Sequence, residues 1–136
     1  MYTTTKPTIY LIDGLNLVRS FFWQFARSEQ EILSDFLDFL EEISSDDKYA
    51  MHEYRVILDG VYRHVGPLYR KGVHIVFAEE DTADNYILQE ADYLHQNGTR
   101  VVAVTDDREL QTALKDIGVK ALFCRKFYNS LKLSSR

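Results

Sequence analysis

Thr8-Ile9-Tyr10-Leu11-Ile12-Asp13-Gly14-Leu15-Asn16 is the stretch from which the fold can be read. The apolar run from Ile9 to Ile12 stops at Asp13, with Gly14 behind it and a helical pattern beyond. An unbroken apolar run of this length suits a strand covered on both faces, as in a parallel sheet. Ligands of such sheets gather at the carboxyl ends of the strands. Asp13 would stand at one of those ends, where Gly14 allows a tight turn and an open approach. The pattern recurs twice: Arg55-Val56-Ile57-Leu58 runs into Asp59-Gly60, and Val101-Val102-Ala103-Val104 into Thr105-Asp106-Asp107. Three apolar strands each deliver a carboxylate at their end.

Outward from that first strand, Leu15, Val18, Phe22 and Phe25 predict a helix from about Leu15 to Ala26. Ser28-x-x-Glu31 has the form of a capping box. The helix it opens should bury Ile32, Leu33, Phe36, Leu37, Leu40 and Ile43 and show Asp35, Asp38, Glu41 and Glu42 to solvent. A second strand follows over Tyr54–Leu58. Tyr62, Val65, Leu68 and Tyr69 then suggest a helical turn or two, interrupted by Gly66-Pro67. Val73–Ala78 reads as a third strand, and Asp81–Asn97 as a helix stopped by Asn97-Gly98. Val101–Val104 is the fourth strand. A helix carrying Leu110, Ala113, Leu114 and Ile117 ends at Gly118, followed by a fifth strand over Val119–Phe123 and a short helix over Phe127–Leu131. Strands alternating with helices imply right-handed crossovers and a parallel α/β sheet.

The 136 residues are expected to make one domain, 1–136, behind a loose lead-in of residues 1–7. A hydrophobic share of 46% with 13% aromatics belongs to a folded chain. No apolar run approaches the ~18 residues of a membrane helix, and Met1 to Lys6 is too polar for a signal peptide. A single cysteine, Cys124, excludes an intramolecular disulfide and any cysteine-based zinc site. His52, His64, His74 and His95 have no metal-ligand spacing, and a cytoplasmic protein is expected. The net charge of −5 counts against non-specific nucleic-acid binding. Acids clustered at one site and neutralised by a divalent metal would make that total misleading. After Phe123 the chain carries Arg125, Lys126, Lys132 and Arg136 and no acid.

Asp13, Asp59, Asp81, Asp84, Asp106, Asp107 and Glu109 are the candidates for chemistry, and most have a structural explanation. Asp81 reads as an N-cap, with Asp84 in the favourable first turn. Asp106 reads as the next cap with Glu109 at its third position, and Asp59-Gly60 as a turn. Asp13 and Asp107 resist such explanations best. In a sheet of order 3-2-1-4-5, strands one and four meet at the topological switch point, so Asp13 and Asp107 would face each other across the crevice. Carboxylates so packed repel one another and raise their own pKa values. A divalent cation removes that cost, and all-oxygen donors suit Mg²⁺ or Mn²⁺. No nucleophile–histidine pair or glycine-rich phosphate loop competes for the role.

These segments resemble the NYN domains, specifically the YacP-like branch of the PIN-like ribonucleases. Ile12-Asp13-Gly14-Leu15-Asn16 resembles that branch's opening Asp-Gly-Tyr-Asn, with Leu15 in place of tyrosine. Val56-Ile57-Leu58-Asp59-Gly60 resembles its Val-Phe-Asp-Ala, Asp81-Thr82-Ala83-Asp84 its Glu-Thr-Ala-Asp, and Val104-Thr105-Asp106-Asp107 its Val-Thr-Ser-Asp. The ordered set spans roughly Thr8 to Tyr128. The resemblance implies a five-stranded parallel sheet of order 3-2-1-4-5 flanked by helices, and a metal-dependent endoribonuclease. It implies Asp13, Asp84 and Asp107 as metal ligands and catalytic residues with Asn16, and Asp59, Asp81 and Asp106 in support. The implied cofactor is Mg²⁺ or Mn²⁺. The implied partner is RNA, messenger or ribosome-associated, with no membrane.

Arg108, beside the aspartates, and the basic tail led by Arg125 and Lys126 are candidates to track an RNA backbone; the tail could equally serve a helix dipole or solubility. Two rivals stand beside the nuclease. One is a catalytically silent RNA- or protein-binding module on the same fold. The other is a receiver-like phosphoacceptor domain, disfavoured because Ile32 to Ile43 is helical where a receiver would place its second strand.

Overall fold

The computed structural model describes residues 6–21, 28–46, 48–67 and 69–134. Five parallel strands, β1 (Ile9–Asp13), β2 (Glu53–Leu58), β3 (Val73–Phe77), β4 (Val101–Val104) and β5 (Lys120–Leu122), form one sheet of order β3-β2-β1-β4-β5. Among the described residues five helices flank it: α1 (Gly14–Phe21), α2 (Glu29–Ser44), α3 (Ala83–Gln96), α4 (Arg108–Asp116) and α5 (Cys124–Ser134). Side chains alternate across the pleat, and both sides are covered. Tyr10, Ile12, Tyr54, Val56, Leu58, Val102 and Val104 pack against Leu17 and Val18 of α1, the apolar stripe of α2, and Phe127 and Leu131 of α5. Leu11, Ile57 and Ala103 pack against Ala83, Ile87 and Ala91 of α3 and Leu110 and Leu114 of α4. Burial from both sides is why the strands read as unbroken apolar runs.

The capping box forms as the sequence predicts. Glu31 N–H donates to Ser28 Oγ at 3.1 Å, and Ser28 N–H to Glu31 Oε1 at 3.4 Å. All six apolar residues expected to be buried along α2 are buried. Its acidic face does more than meet solvent. Asp38 pairs with Arg70, whose side chain is buried, and Glu41 accepts the Lys71 N–H at 2.9 Å. The segment between β2 and β3 thus folds back onto α2. No helix forms among the described residues of that segment, against the expectation from Tyr62, Val65, Leu68 and Tyr69. Gly60, Gly66 and Gly72 take φ of 86°, 95° and 73°, left-handed conformations that break a right-handed helix before a turn can propagate.

Helix boundaries shift slightly. The cap of α3 is Thr82, not Asp81: Asn85 N–H donates to Thr82 Oγ1 at 3.1 Å. The last helix begins at Cys124, earlier than expected, because Cys124, Phe127 and Leu131 lie on one face and all pack into the core. Phe22 and Phe25 of the expected longer first helix, residues 1–5, Leu68 and Arg136 lie outside the described residues, as does the side chain of Lys132. No helix among the described residues is long and apolar enough to cross a membrane.

Gly14 serves a different purpose from the tight turn its neighbours suggest. Its φ is not left-handed, and it is the first residue of α1. A Cβ there would stand 2.7 Å from both Leu58 Cδ2 and Val56 Cγ1. The absent side chain lets α1 start flush against β2, which keeps Asp13 and Asn16 close to the sheet end. Gly14→Ala is expected to lower stability by about 1–3 kcal/mol through overpacking, measurable by urea unfolding.

Candidate active site

The strand order brings the predicted carboxylates together. In the parallel register Asp13 stands opposite Ile57, and Ile12 opposite Val104. The residues just past β2 and β4 therefore flank Asp13 on its two sides. Asp59 Oδ1 accepts the Ala83 N–H at 2.7 Å, tying the start of α3 to the end of β2. That bond sets Asp84, one residue further along, facing the same space. Asp13, Asn16, Arg19, Asp59, Asp84 and Asp107 line one cavity of about 290 Å³, together with Leu15 and Thr82.

The electrostatics of this cavity are unfavourable to charge. Burial, opposed by the Asn16 N–H donating to Oδ1 at 3.1 Å, raises the Asp13 pKa from 3.8 to about 6. The charges of Asp84 and Asp59 push it up further, and Arg19 pulls it down. Asp84 is raised too, first by burial and then by Asp107 and Asp59. Asp107 stands close enough to Asp84 to raise its pKa, and a proton or a cation between the two carboxylates would relieve that repulsion.

The cap expected of Asp106 falls to Asp107, which lines the acidic cavity as well. Asp107, not Asp106, caps α4: Leu110 N–H donates to Asp107 Oδ1 at 2.8 Å. Asp106 caps a different helix. Its Oδ1 accepts the Cys124 N–H at 2.8 Å, at the start of α5, while Oδ2 accepts the Ser20 hydroxyl at 3.0 Å. Asn16 Oδ1 accepts the Asp106 N–H at 2.8 Å and the Cys124 thiol at 3.2 Å. Burial beside Asp106 pushes the thiol pKa up, so Cys124 stays protonated. Together Asn16, Ser20, Asp106 and Cys124 pin α1 and α5 to the end of β4. Asp106→Ala strands the Cys124 N–H, while the Ser20 hydroxyl keeps the Asn16 carbonyl at 2.9 Å, and is expected to lower stability by about 1–3 kcal/mol in a urea melt.

Not every predicted residue reaches the cavity. Asp81 Oδ1 accepts the neighbouring Thr82 N–H at 2.8 Å and does not line it. Asp106, Arg108, Arg125 and Lys126 line a second cavity with Phe123 and Asn129. Arg19 is the site residue that sequence reasoning missed. Its signal was present, since it follows Leu15 and Asn16 by four and three positions on a helix opened at Asp13.

The oxygen-only donors and the mutual repulsion of Asp13, Asp59, Asp84 and Asp107 suit a hard divalent cation. As placed, no three of the described histidine, cysteine, aspartate or glutamate side chains stand ready to hold one ion.

An open parallel sheet of order 3-2-1-4-5, with acids gathered where strands one and four meet, is the fold of the PIN-like ribonucleases. Residues 10–136 match the sequence model of the YacP-like NYN domain, and the chain belongs to that family. Crystal structures of Rae1 (YacP) from Bacillus subtilis share the fold. One matches with a TM-score of 0.71 at 21% identity, over 95% of this chain and 75% of that one. A point mutant of the same protein gives 0.73 at 20%, over 94% and 76%. No curated protein matches the sequence.

Proposed function

We propose that the chain is a cytoplasmic, metal-dependent endoribonuclease whose catalytic centre is the carboxylate cavity at the ends of β1, β2 and β4. The observation that carries this reading is the convergence of Asp13, Asp59, Asp84 and Asp107 on one cavity, at a cost visible in the raised pKa of Asp13. Burial sets most of that rise and the neighbouring carboxylates add to it, and a bound cation would offset both.

Asp13, Asp84 and Asp107 would hold Mg²⁺ or Mn²⁺. When bound, the cation would lower the pKa of a water and offset charge on the phosphate and the leaving oxygen. Asp59 keeps the first turn of α3, and with it Asp84, against the sheet. Asn16 and Asp106 hold the ends of β1 and β4 in register, and Asp81 shapes the turn before α3. Arg19 balances part of the acidic charge and would meet a phosphate of the substrate. Arg108, Arg125 and Lys126 would contact the RNA backbone, with messenger or ribosome-associated RNA as the substrate class.

Purified protein should cleave RNA internally in Mn²⁺ or Mg²⁺ and stop in EDTA. The same ions should raise the melting temperature, because they bind only the folded cavity. Intact RNA under every metal condition would overturn the reading. The want of a ready three-ligand set among the described residues favours a second reading, a silent RNA-binding module. That module would bind RNA equally well in EDTA and never cut it.

A further inference from the structure

We propose that the second cavity, beside the carboxylate centre, is a subsite for one unpaired nucleotide, its base stacked on Phe123 and its phosphate held by Arg108, Arg125 and Lys126. The cavity is a broad depression of about 650 Å³, largely open to solvent. The proposal rests on the ribonuclease reading and adds to it the form of the substrate: single-stranded, with a base turned out next to the cleavage site.

Phe123 is 44% exposed although it directly follows β5 and precedes the fully buried Cys124. The core gains little from it there. An aromatic ring set among cations is the arrangement that binds single-stranded nucleic acid, the ring taking a base and the cations the backbone. Arg125 and Lys126 stand in the first turn of α5, which holds no acid. Cations at that end oppose the helix dipole. A phosphate would reverse the balance, drawn by both the cations and the dipole. Asp106 also lines the cavity, with Oδ1 on the Cys124 N–H and Oδ2 on the Ser20 hydroxyl.

The position fits a substrate that reaches the acids. β5 lies next to β4 in the sheet, about 4.8 Å away. Phe123 therefore sits beside Thr105 at the same carboxyl edge and shares its cavity with Asp106. RNA crossing this edge would have its phosphates neutralised on the β5 side just before they meet the acidic centre. A duplex keeps its bases stacked on one another and offers Phe123 no free face.

The test uses the full chain in EDTA, where cleavage is silent. The probe is a short single-stranded RNA carrying the fluorescent adenine analogue 2-aminopurine, compared with the same strand annealed to its complement. Wild type should bind the single strand more tightly than the duplex and quench the analogue. Phe123→Ala should weaken single-strand binding by about 5- to 100-fold, lose the quench, and leave duplex binding unchanged. Phe123→Trp should restore both tight binding and quenching. Equal single-strand affinity and quenching in wild type and Phe123→Ala would overturn the subsite, while metal-dependent cleavage by that variant would leave the nuclease reading standing. An Arg125→Ala, Lys126→Ala variant that binds the single strand like wild type would also overturn it. If wild type binds acidic peptides but neither RNA, the subsite and the nuclease reading fail together.

Discussion

Asp107→Asn is expected to cleave RNA at least about 100-fold more slowly than wild type while unfolding at nearly the same urea concentration. The Asp107 side chain has two duties. Oδ1 caps α4 through the Leu110 N–H, and the carboxylate lines the acidic cavity beside Asp84. Asparagine caps a helix about as well as aspartate. The loss of one negative charge at the helix start costs only about 0.3–1 kcal/mol. Removal of a metal-ligating charge is a heavier loss than that of a supporting partner, which alone costs ~10–100-fold. Asp107→Ala should lose the activity and the cap together, with a further ~0.5–2 kcal/mol of stability. The pair separates cap from ligand: cleavage by Asp107→Asn within tenfold of wild type would remove Asp107 from the chemistry.

Asp13→Asn should stabilise the metal-free protein at pH 7 by up to about 3 kcal/mol, roughly 10 °C for a chain of this size. The folded pKa of about 6 lies above the ordinary 3.8, so the native state holds a proton that the unfolded chain releases between those values. The contribution of Asp13 to stability is therefore fully present below pH 3.8 and is lost as the pH rises through about 6. The difference between variant and wild type should vanish near pH 4 and reach its plateau above pH 7. The amide oxygen of the introduced asparagine would still accept the Asn16 N–H, so the local turn survives. Mn²⁺ should raise the melting temperature of wild type and leave that of the variant unchanged. A pH-independent difference, or an equal Mn²⁺ response in both proteins, would place the repulsion and the ion elsewhere.

The parts of the molecule legible in the sequence are those that local rules decide. The unbroken runs at Ile9, Val56 and Val101 announced strands buried on both faces. Ser28 and Glu31 announced a capping box, and the alternation of strands with helices announced a parallel sheet. From that sheet, Asp13 and Asp107 could be placed on either side of its switch point, because topology alone sets which strand ends are neighbours.

Other features depend on residues far apart in the chain. Spacing pointed to Asp106 as the cap of α4 and left Asp107 over. Only the approach of α5, bringing the Cys124 N–H within 2.8 Å of Asp106, leaves Asp107 to α4. The role of Gly14 was equally hidden, since the atoms its missing Cβ would strike belong to Val56 and Leu58, on a strand separated from it by all of α2. Phe123, Arg108 and Arg125 share a cavity because β5 returns beside β4 and α5 turns back over that edge. Periodicity and capping are short-range and leave their trace in neighbouring residues. The choice among competing hydrogen-bond acceptors, and the walls of a cavity, are settled by groups that only folding brings within reach.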